Sequence, residues 1–220
     1  MITLYTTKDQ SHTLYNSELN ETYHSRNGAV EEAAYVYIKQ GLEFITSKQK
    51  ELNVLEIGFG TGLNAILTLQ KATQWGITCH YQSLETFPLP IELINQLNYL
   101  QYINPAYQTL FTQMHQCAWN LNQVINPNFQ LHKIAQSIHQ FNTHARFDLI
   151  YFDAFGPDKQ PDMWTPEVFE KMYQLTSTQG ILVTYSAKGE VKRTLKAVGY
   201  EVESLPGPPR KRHMLRAIKY

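Results

Sequence analysis

Leu55-Glu56-Ile57-Gly58-Phe59-Gly60-Thr61-Gly62-Leu63 is the stretch whose reading decides the fold. It lies where a strand pattern, ELNVLEIG at 51–58, gives way to a helix pattern, GLNAILTLQKAT at 62–73. Glycines let a chain turn tightly and approach a ligand without a Cβ, and the helix start behind them offers unpaired amides. The position therefore implies a nucleotide-type cofactor. The dinucleotide fingerprint GxGxxG needs glycine at position 63, where Leu63 stands, and it seldom carries an acid just ahead of its first glycine. An NAD-dependent oxidoreductase is disfavoured on that ground, and no hydride-transfer acid is evident. The match is to ExGxGxG.

Strand and helix patterns alternate outward from the loop. ITCHYQSLE (77–85) reads as a strand, LPIELINQL (89–97) as a helix, residues 105–125 as helical and FQLHKIA (129–135) as a short strand. FDLIYFDAF (147–155) and GILVTYS (180–186) read as fully buried strands. Between them TPEVFEKMYQLT is a helix opened by Thr165 and Pro166. EVKRTLKAVG is a helix closed by Gly199, and YEVES with RHMLRAIK forms a final antiparallel pair. This rhythm predicts an α/β fold around a mostly parallel sheet. Upstream, residues 1–27 hold a short β-hairpin turning at Lys8–Ser11, and Ala29 to Ser47 keeps its apolar residues at helical spacing. The expected division is a small N-terminal segment, 1–27, and a main domain, 28–220.

Composition narrows the class. With 43% hydrophobic and 17% charged residues the chain is globular rather than disordered. It has no apolar run long enough for a membrane span, and MITLYTTKDQSHTLY has neither a basic leader nor an apolar core, so a cytoplasmic protein is expected. Cys79 and Cys117 form no CxxC pair, and the eight histidines form no ligand spacing, so neither a disulfide scaffold nor a metal is expected. Positive and negative charges cancel over the whole chain, but residues 186–220 hold nine Lys or Arg against three Glu. That end carries a local positive field.

The pattern ExGxGxG resembles motif I of class I S-adenosylmethionine (SAM) methyltransferases. The resemblance implies a Rossmann-like, mostly parallel seven-stranded sheet with an antiparallel C-terminal strand. It places Glu56 near the cofactor's ammonium and makes Gly58, Phe59, Gly60, Thr61, Gly62 and Asn64 cofactor contacts. Glu85 ends the next strand, where an acid accepts hydrogen bonds from both ribose hydroxyls, with Thr86 beside it. HKIAQSIHQF (132–141) departs from the pattern, having Ala135 and Gln136 where an acid commonly meets the adenine.

The strand FDLIYFDAF delivers Asp153 to the carboxyl edge of the sheet, where open α/β sheets bind their ligands. Asp153 and Phe155 echo the acid-and-aromatic arrangement by which aminomethyltransferases hold an exocyclic nitrogen; the plain alternative is an aspartate capping a turn. Taken together, YHSRNGAVEE (23–32), LEIGFGTGLNAILTL (55–69), LETFPL (84–89), DAFGPDKQPDMW (153–164) and GPPRKRHMLRA (207–217) resemble the methyltransferase module of the MnmC family. That family completes 5-methylaminomethyl groups on wobble uridines of tRNA. The chain stops at Tyr220, so it resembles the form without the flavin oxidase and should carry no FAD.

The resemblance implies SAM-dependent N-methylation of a 5-aminomethyl group, with or without a 2-thio group on the uridine, the tRNA anticodon stem-loop as partner, and a 1–27 segment that covers the cofactor through YHSRNGAVEE. Asp153 and Phe155 are the catalytic candidates, with Asp153 also touching the cofactor. Met163 and Trp164 are candidate walls for the flipped base, although as residues alone they fit core packing equally well. Lys188, Arg210, Lys211 and Arg212 are candidate phosphate contacts; as a charge run alone they fit a solvated loop. Two other readings stay open: a SAM-dependent methyltransferase for a small amine or protein, and a noncatalytic RNA-binding protein on a degenerate SAM fold. The residues leave oligomeric state undecided.

Overall fold

In the computed structural model, residues 1–47 and 49–220 are described. Strands β1 (Ile2–Thr6), β2 (His12–Asn16) and β3 (Glu21–Thr22) form a small antiparallel sheet, the expected hairpin with one short strand added. The main sheet is built from β4 (Glu51–Ile57), β5 (Thr78–Leu84), β6 (Asn122–Asn126), β7 (Phe129–Ile134), β8 (Phe147–Phe152), β9 (Thr176–Thr184), β10 (Glu201–Pro206) and β11 (His213–Ile218). Their order across the sheet is β10-β11-β9-β8-β4-β5-β7-β6. The five strands from β9 to β7 run parallel, and the pairs at both margins are antiparallel.

Both faces of the sheet are covered, which is why its central strands read as continuous apolar runs. Val54, Leu149, Tyr151, Ile181 and Val183 face one core, shared with Leu42, Ile66 and Leu69. Leu55, Ile150, Phe152 and Leu182 alternate with them and face the other, shared with Val168, Phe169, Met172 and Leu195.

Helix α1 (residues 29–46) and helix α2 (Leu63–Trp75) cover the first face. α1 is regular at Ala29–Ala33 and Phe44–Thr46, but Ala34–Glu43 between them is wound as a π-helix. At Gly41 this helix comes down onto the sheet: a Cβ there would lie 3.1 Å from Val183 and 3.2 Å from Tyr151. The single turn α3 (Ile91–Ile94) and α4 (Gln108–Gln116) follow β5, while α5 (Pro166–Leu175) and α6 (Gly189–Ala197) cover the second face. α5 starts as its sequence predicts, with Thr165 accepting from the Val168 amide and Pro166 in the first turn.

The sheet has eight strands rather than the seven expected, and the difference lies in residues 105–125. The helix there ends at Gln116 because Cys117 is extended (ψ 150°), and Asn120 then takes a left-handed φ of 62°. Asn126 accepts the Asn128 amide at 2.8 Å, the side-chain-to-backbone bond that lets asparagine turn a chain. Residues 122–126 fold back on β7 as an edge strand. LPIELINQL is helical only over Ile91–Ile94.

β4 pairs with β5 and β8 so that Ile57 lies level with Leu84 and Phe152. The segments that follow these three residues therefore meet at one edge. Among the described residues no helix is long and apolar enough to cross a membrane.

Candidate active site

A cavity of about 490 Å³ opens where those three strand ends meet. Its floor is the glycine loop, and all three glycines take left-handed values: φ is 94° at Gly58, 49° at Gly60 and 72° at Gly62. Those values exclude most side chains. At Gly58 space excludes them too, since a Cβ would lie 3.0 Å from the Asp153 carbonyl oxygen. The loop is tied to β5, because the Gly58 and Phe59 amides donate to the Leu84 carbonyl at 2.9 and 3.2 Å.

Ten of the residues singled out in the sequence line this cavity. Gly58, Phe59, Gly60, Thr61 and Asn64 come from the loop and the start of α2, and Glu85 and Thr86 from the end of β5. Asp153, Phe155 and Met163 come from the chain after β8. Glu85 is held by the loop itself, accepting from the Gly60 amide at 3.0 Å and the Phe87 amide at 2.8 Å.

Asp153 is gripped from two sides. The Tyr37 hydroxyl donates to Oδ1 at 2.5 Å and the Asn64 amide to Oδ2 at 2.8 Å. Desolvation pushes its pKa up to about 7 despite these two bonds, which work the other way. Glu32 raises it further and Lys211 lowers it. The neighbouring backbone is fixed as well: Tyr185 donates to the Ala154 carbonyl at 2.9 Å, and the Trp164 indole to the Phe155 carbonyl at 2.7 Å.

Several expected site residues lie elsewhere. Glu56 has no exposed surface and does not line the cavity; it sits beneath the loop, where Ser83 donates to it at 2.6 Å. Desolvation drives its pKa up to about 8. Gly62 faces α4 instead of the cavity, and a Cβ there would meet His115 Nε2 at 2.7 Å. Trp164 is packed against Phe152 and Phe169, which selects the core reading for it, whereas Met163 reaches the wall.

The basic run also divides. Lys211 turns inward to an ion pair with buried Glu32 and lies 4.7 Å from the Tyr185 ring centroid, while Lys188 pairs with Asp158 at 2.5 Å. Arg210 and Arg212 are exposed.

Sequence reasoning missed Tyr37 entirely, since its spacing on α1 is that of any buried aromatic. From the N-terminal segment, expected to cover the cofactor, Met1, Ile2, Asn16 and Leu19 line the cavity. Tyr23 and His24 line it from YHSRNGAVEE, the segment whose place over the cofactor the resemblance suggests. Tyr23 stands edge-on to Phe155 with centroids 5.0 Å apart. His24 bonds to Thr13 through Nδ1 at 2.9 Å, and desolvation lowers its basicity to about 4, so it is neutral at pH 7. Gln136 and Ile138 line the cavity from the segment after β7. Among the described residues no three metal-binding side chains cluster.

Residues 97–220 match a family model described as S-adenosyl-L-methionine-dependent methyltransferase. The chain is 33% identical over 92% of its length to the tRNA 5-methylaminomethyl-2-thiouridine biosynthesis bifunctional protein MnmC of Pseudoalteromonas atlantica, and covers 31% of that protein. It is 32% identical over 88% of its length to the protein of the same name from Cupriavidus necator, again covering 31%. The chain thus spans about a third of the length of these curated relatives. Among solved structures, MnmC2 from Aquifex aeolicus superposes with a TM-score of 0.80 at 23% identity, over 99% of this chain and 70% of that one. The class I methyltransferase fold expected from the glycine loop is the fold observed.

Proposed function

Because the chain belongs to the S-adenosyl-L-methionine-dependent methyltransferase family, we propose that it methylates the nitrogen of a 5-aminomethyl group on the wobble uridine of a tRNA anticodon. The names of its curated relatives support the substrate. The observation that carries the chemistry is Asp153, pinned on both oxygens at the cavity wall beside Phe155.

The residues present suit the cofactor. The cavity is within the usual size range for small-ligand sites. Its floor at Gly58 is a cradle that a Cβ would fill, and Glu85 presents a carboxylate at the end of β5, braced by two amides. Gly58, Phe59, Gly60 and Thr61 would hold the amino-acid end and Glu85 the ribose, with Gln136 and Ile138 beside the base. When bound, the cofactor supplies an electrophilic methyl group on a sulfonium.

Everything else falls to the chain's own residues. An amine attacks only when its lone pair is free, so the site must orient a neutral nitrogen and take up the proton its product sheds. Asp153 does both: its carboxylate accepts an N–H of the aminomethyl group, and a pKa near 7 lets it accept a proton and release it to water. Tyr37 and Asn64 fix the carboxylate's plane, so the nitrogen is held in one direction; alignment of this kind supplies much of the acceleration in a displacement. Phe155 and Met163 offer apolar surface to the extruded base. Exposed Arg210 and Arg212 are the phosphate contacts.

The test is incubation of tRNA carrying 5-aminomethyluridine with the enzyme and SAM, followed by nucleoside mass spectrometry. Appearance of the methylaminomethyl nucleoside, lost in D153A with SAM binding retained, is the expected result. Methylation of a small amine or protein with the tRNA nucleoside unchanged refutes the assignment.

A further inference from the structure

His24 lines the cavity from the covering segment, and its surroundings hold it in place. Its backbone N–H donates to Thr13 Oγ1 at 3.1 Å, its carbonyl accepts from Thr22 Oγ1 at 2.7 Å, and its ring stands edge-on to Tyr99 with centroids 6.3 Å apart. On the ring, Nδ1 lies 2.9 Å from Thr13 Oγ1 and Nε2 lies 3.4 Å from Thr61 Oγ1. Thr61 Oγ1 lies in turn 3.1 Å from the Tyr99 hydroxyl.

Thr13, His24, Thr61 and Tyr99 thus form a row whose protons can be followed. Each hydroxyl carries one proton and so does the neutral imidazole, which leaves one more proton than the row has contacts. A charged ring would only add a donor. The two end residues, Thr13 and Tyr99, have no exposed surface, and among the described residues neither hydroxyl has another acceptor. Buried hydroxyl protons are seldom left bare, so each end gives its proton inward: Thr13 to Nδ1 and Tyr99 to Thr61 Oγ1. With Nδ1 accepting, the imidazole proton sits on Nε2. Its contact with Thr61 is long for a hydrogen bond, and the Thr61 proton has no partner in the row either way. The surplus falls at His24 and Thr61, the two members that line the cavity. That wall is a donor wall.

A ligand that suits it brings an acceptor. In the cofactor reading given above, on which this inference rests, Glu85 takes the ribose and Gln136 and Ile138 lie beside the base. The ammonium of the amino-acid end is itself a donor, so the group left for this wall is the carboxylate. The start of α2 favours an anion on the same side: Leu63 and Asn64 line the cavity, and the helix cap, Gly62, has no side chain to occupy the open amides behind it. We infer that His24 Nε2–H, with the Thr61 hydroxyl beside it, holds the carboxylate of the cofactor's amino-acid end, so that His24 selects a cofactor bearing that group. Thr13 is the positioning residue that keeps the proton on Nε2.

Calorimetric titration of the wild type and H24F with SAM and with decarboxylated SAM, which lacks only the carboxylate, tests the contact. Phenylalanine keeps a ring against Tyr99 and removes both nitrogens. The Kd for SAM should rise roughly ten- to a hundredfold in H24F, the range of one hydrogen bond to a charged group, while that for decarboxylated SAM changes by less than about twofold. An equal loss for both compounds means that His24 merely supports the cover and overturns the inference, as does no loss for either. Nitrogen NMR of ring-labelled histidine reads the proton itself. The Nε2–H tautomer in the cofactor-free wild type, with an Nε2 resonance that moves on adding SAM and stays on adding decarboxylated SAM, is expected. An Nδ1–H tautomer, or equal shifts with both compounds, overturns the inference, and this measurement decides should H24F fail to fold. A wild type that binds neither compound removes the cofactor reading and this inference with it, whereas a wild type and an H24F that bind SAM equally well remove this inference alone.

Discussion

Replacing Tyr37 with phenylalanine removes one atom from the grip on Asp153 and little else. The tyrosine is 1% exposed and its ring packs 5.2 Å from Tyr151, so phenylalanine keeps the packing and opens no cavity. The lost bond is a hydroxyl donor to a carboxylate at 2.5 Å. Hydrogen bonds to charged groups contribute about 1.5–3 kcal/mol, which corresponds to about one to two pKa units on the acceptor. The bond favours the ionised form, so its loss raises the pKa of Asp153 from about 7 to roughly 8–9. At pH 7 the ionised fraction then drops from about half to between a tenth and a hundredth, and kcat/KM falls about 5- to 50-fold. The loss should be recovered at alkaline pH, because the variant still has the carboxylate. Initial methyl-transfer rates from pH 6 to 9.5 check this. A Y37F profile parallel to the wild type, lower at every pH with the same inflection, would refute the argument that Tyr37 acts through the charge of Asp153.

Two further expectations follow from the charges. Glu56 and Asp153 hold protons more tightly folded than unfolded, so their contribution to stability is complete below the ordinary carboxylate range and is lost as pH rises through about 7 and about 8. His24 and His115, lowered to about 4, give the opposite slope only up to the ordinary histidine value of 6.5. The stability of E56Q relative to wild type should therefore grow with pH between about 4.5 and 8, by up to about 1.4 kcal/mol per pH unit, in paired denaturant titrations; a flat difference refutes the shift at Glu56. Second, R210A/R212A should weaken tRNA binding and reduce its salt slope by roughly two, with thermal stability unchanged. K211A should instead lower the melting temperature, because it strands Glu32, 7% exposed, without its cation. Equal salt slopes for wild type and R210A/R212A would dismiss the loop as a phosphate contact.

What the sequence disclosed depended on how local the physics was. The glycine loop was legible because each of its left-handed positions demands glycine, and Asp153 because a run of apolar residues ending in an acid has few uses at a sheet edge. Lys211 and Arg210 are indistinguishable in a basic run, since the direction of a flexible side chain is settled by Glu32, which is 179 residues away from Lys211. Tyr37 was hidden for a related reason: a buried tyrosine on an amphipathic helix has the spacing of a core residue, and its hydroxyl finds Asp153 across 116 residues. The edge strand at 122–126 was absorbed into a helix pattern because the apolar residues around it, Leu121 and Val124, are exposed at 57% and 66% and follow no inward rhythm. Trp164 shows the limit in the other direction. Its neighbours in the motif face the cavity, yet its own ring supports the Phe155 carbonyl from behind.

The winding of α1 has a consequence for redesign. Ten residues coil more widely than an ordinary helix, and Tyr37 lies within them. Such a stretch is less well bonded than a regular helix, so any engineering effort that ranks sequences by firmness would trim a residue and tighten the coil. Tightening would rotate the hydroxyl off its target. The sturdier protein would be the idle one, and the slack in that coil is where aim has been preferred over strength.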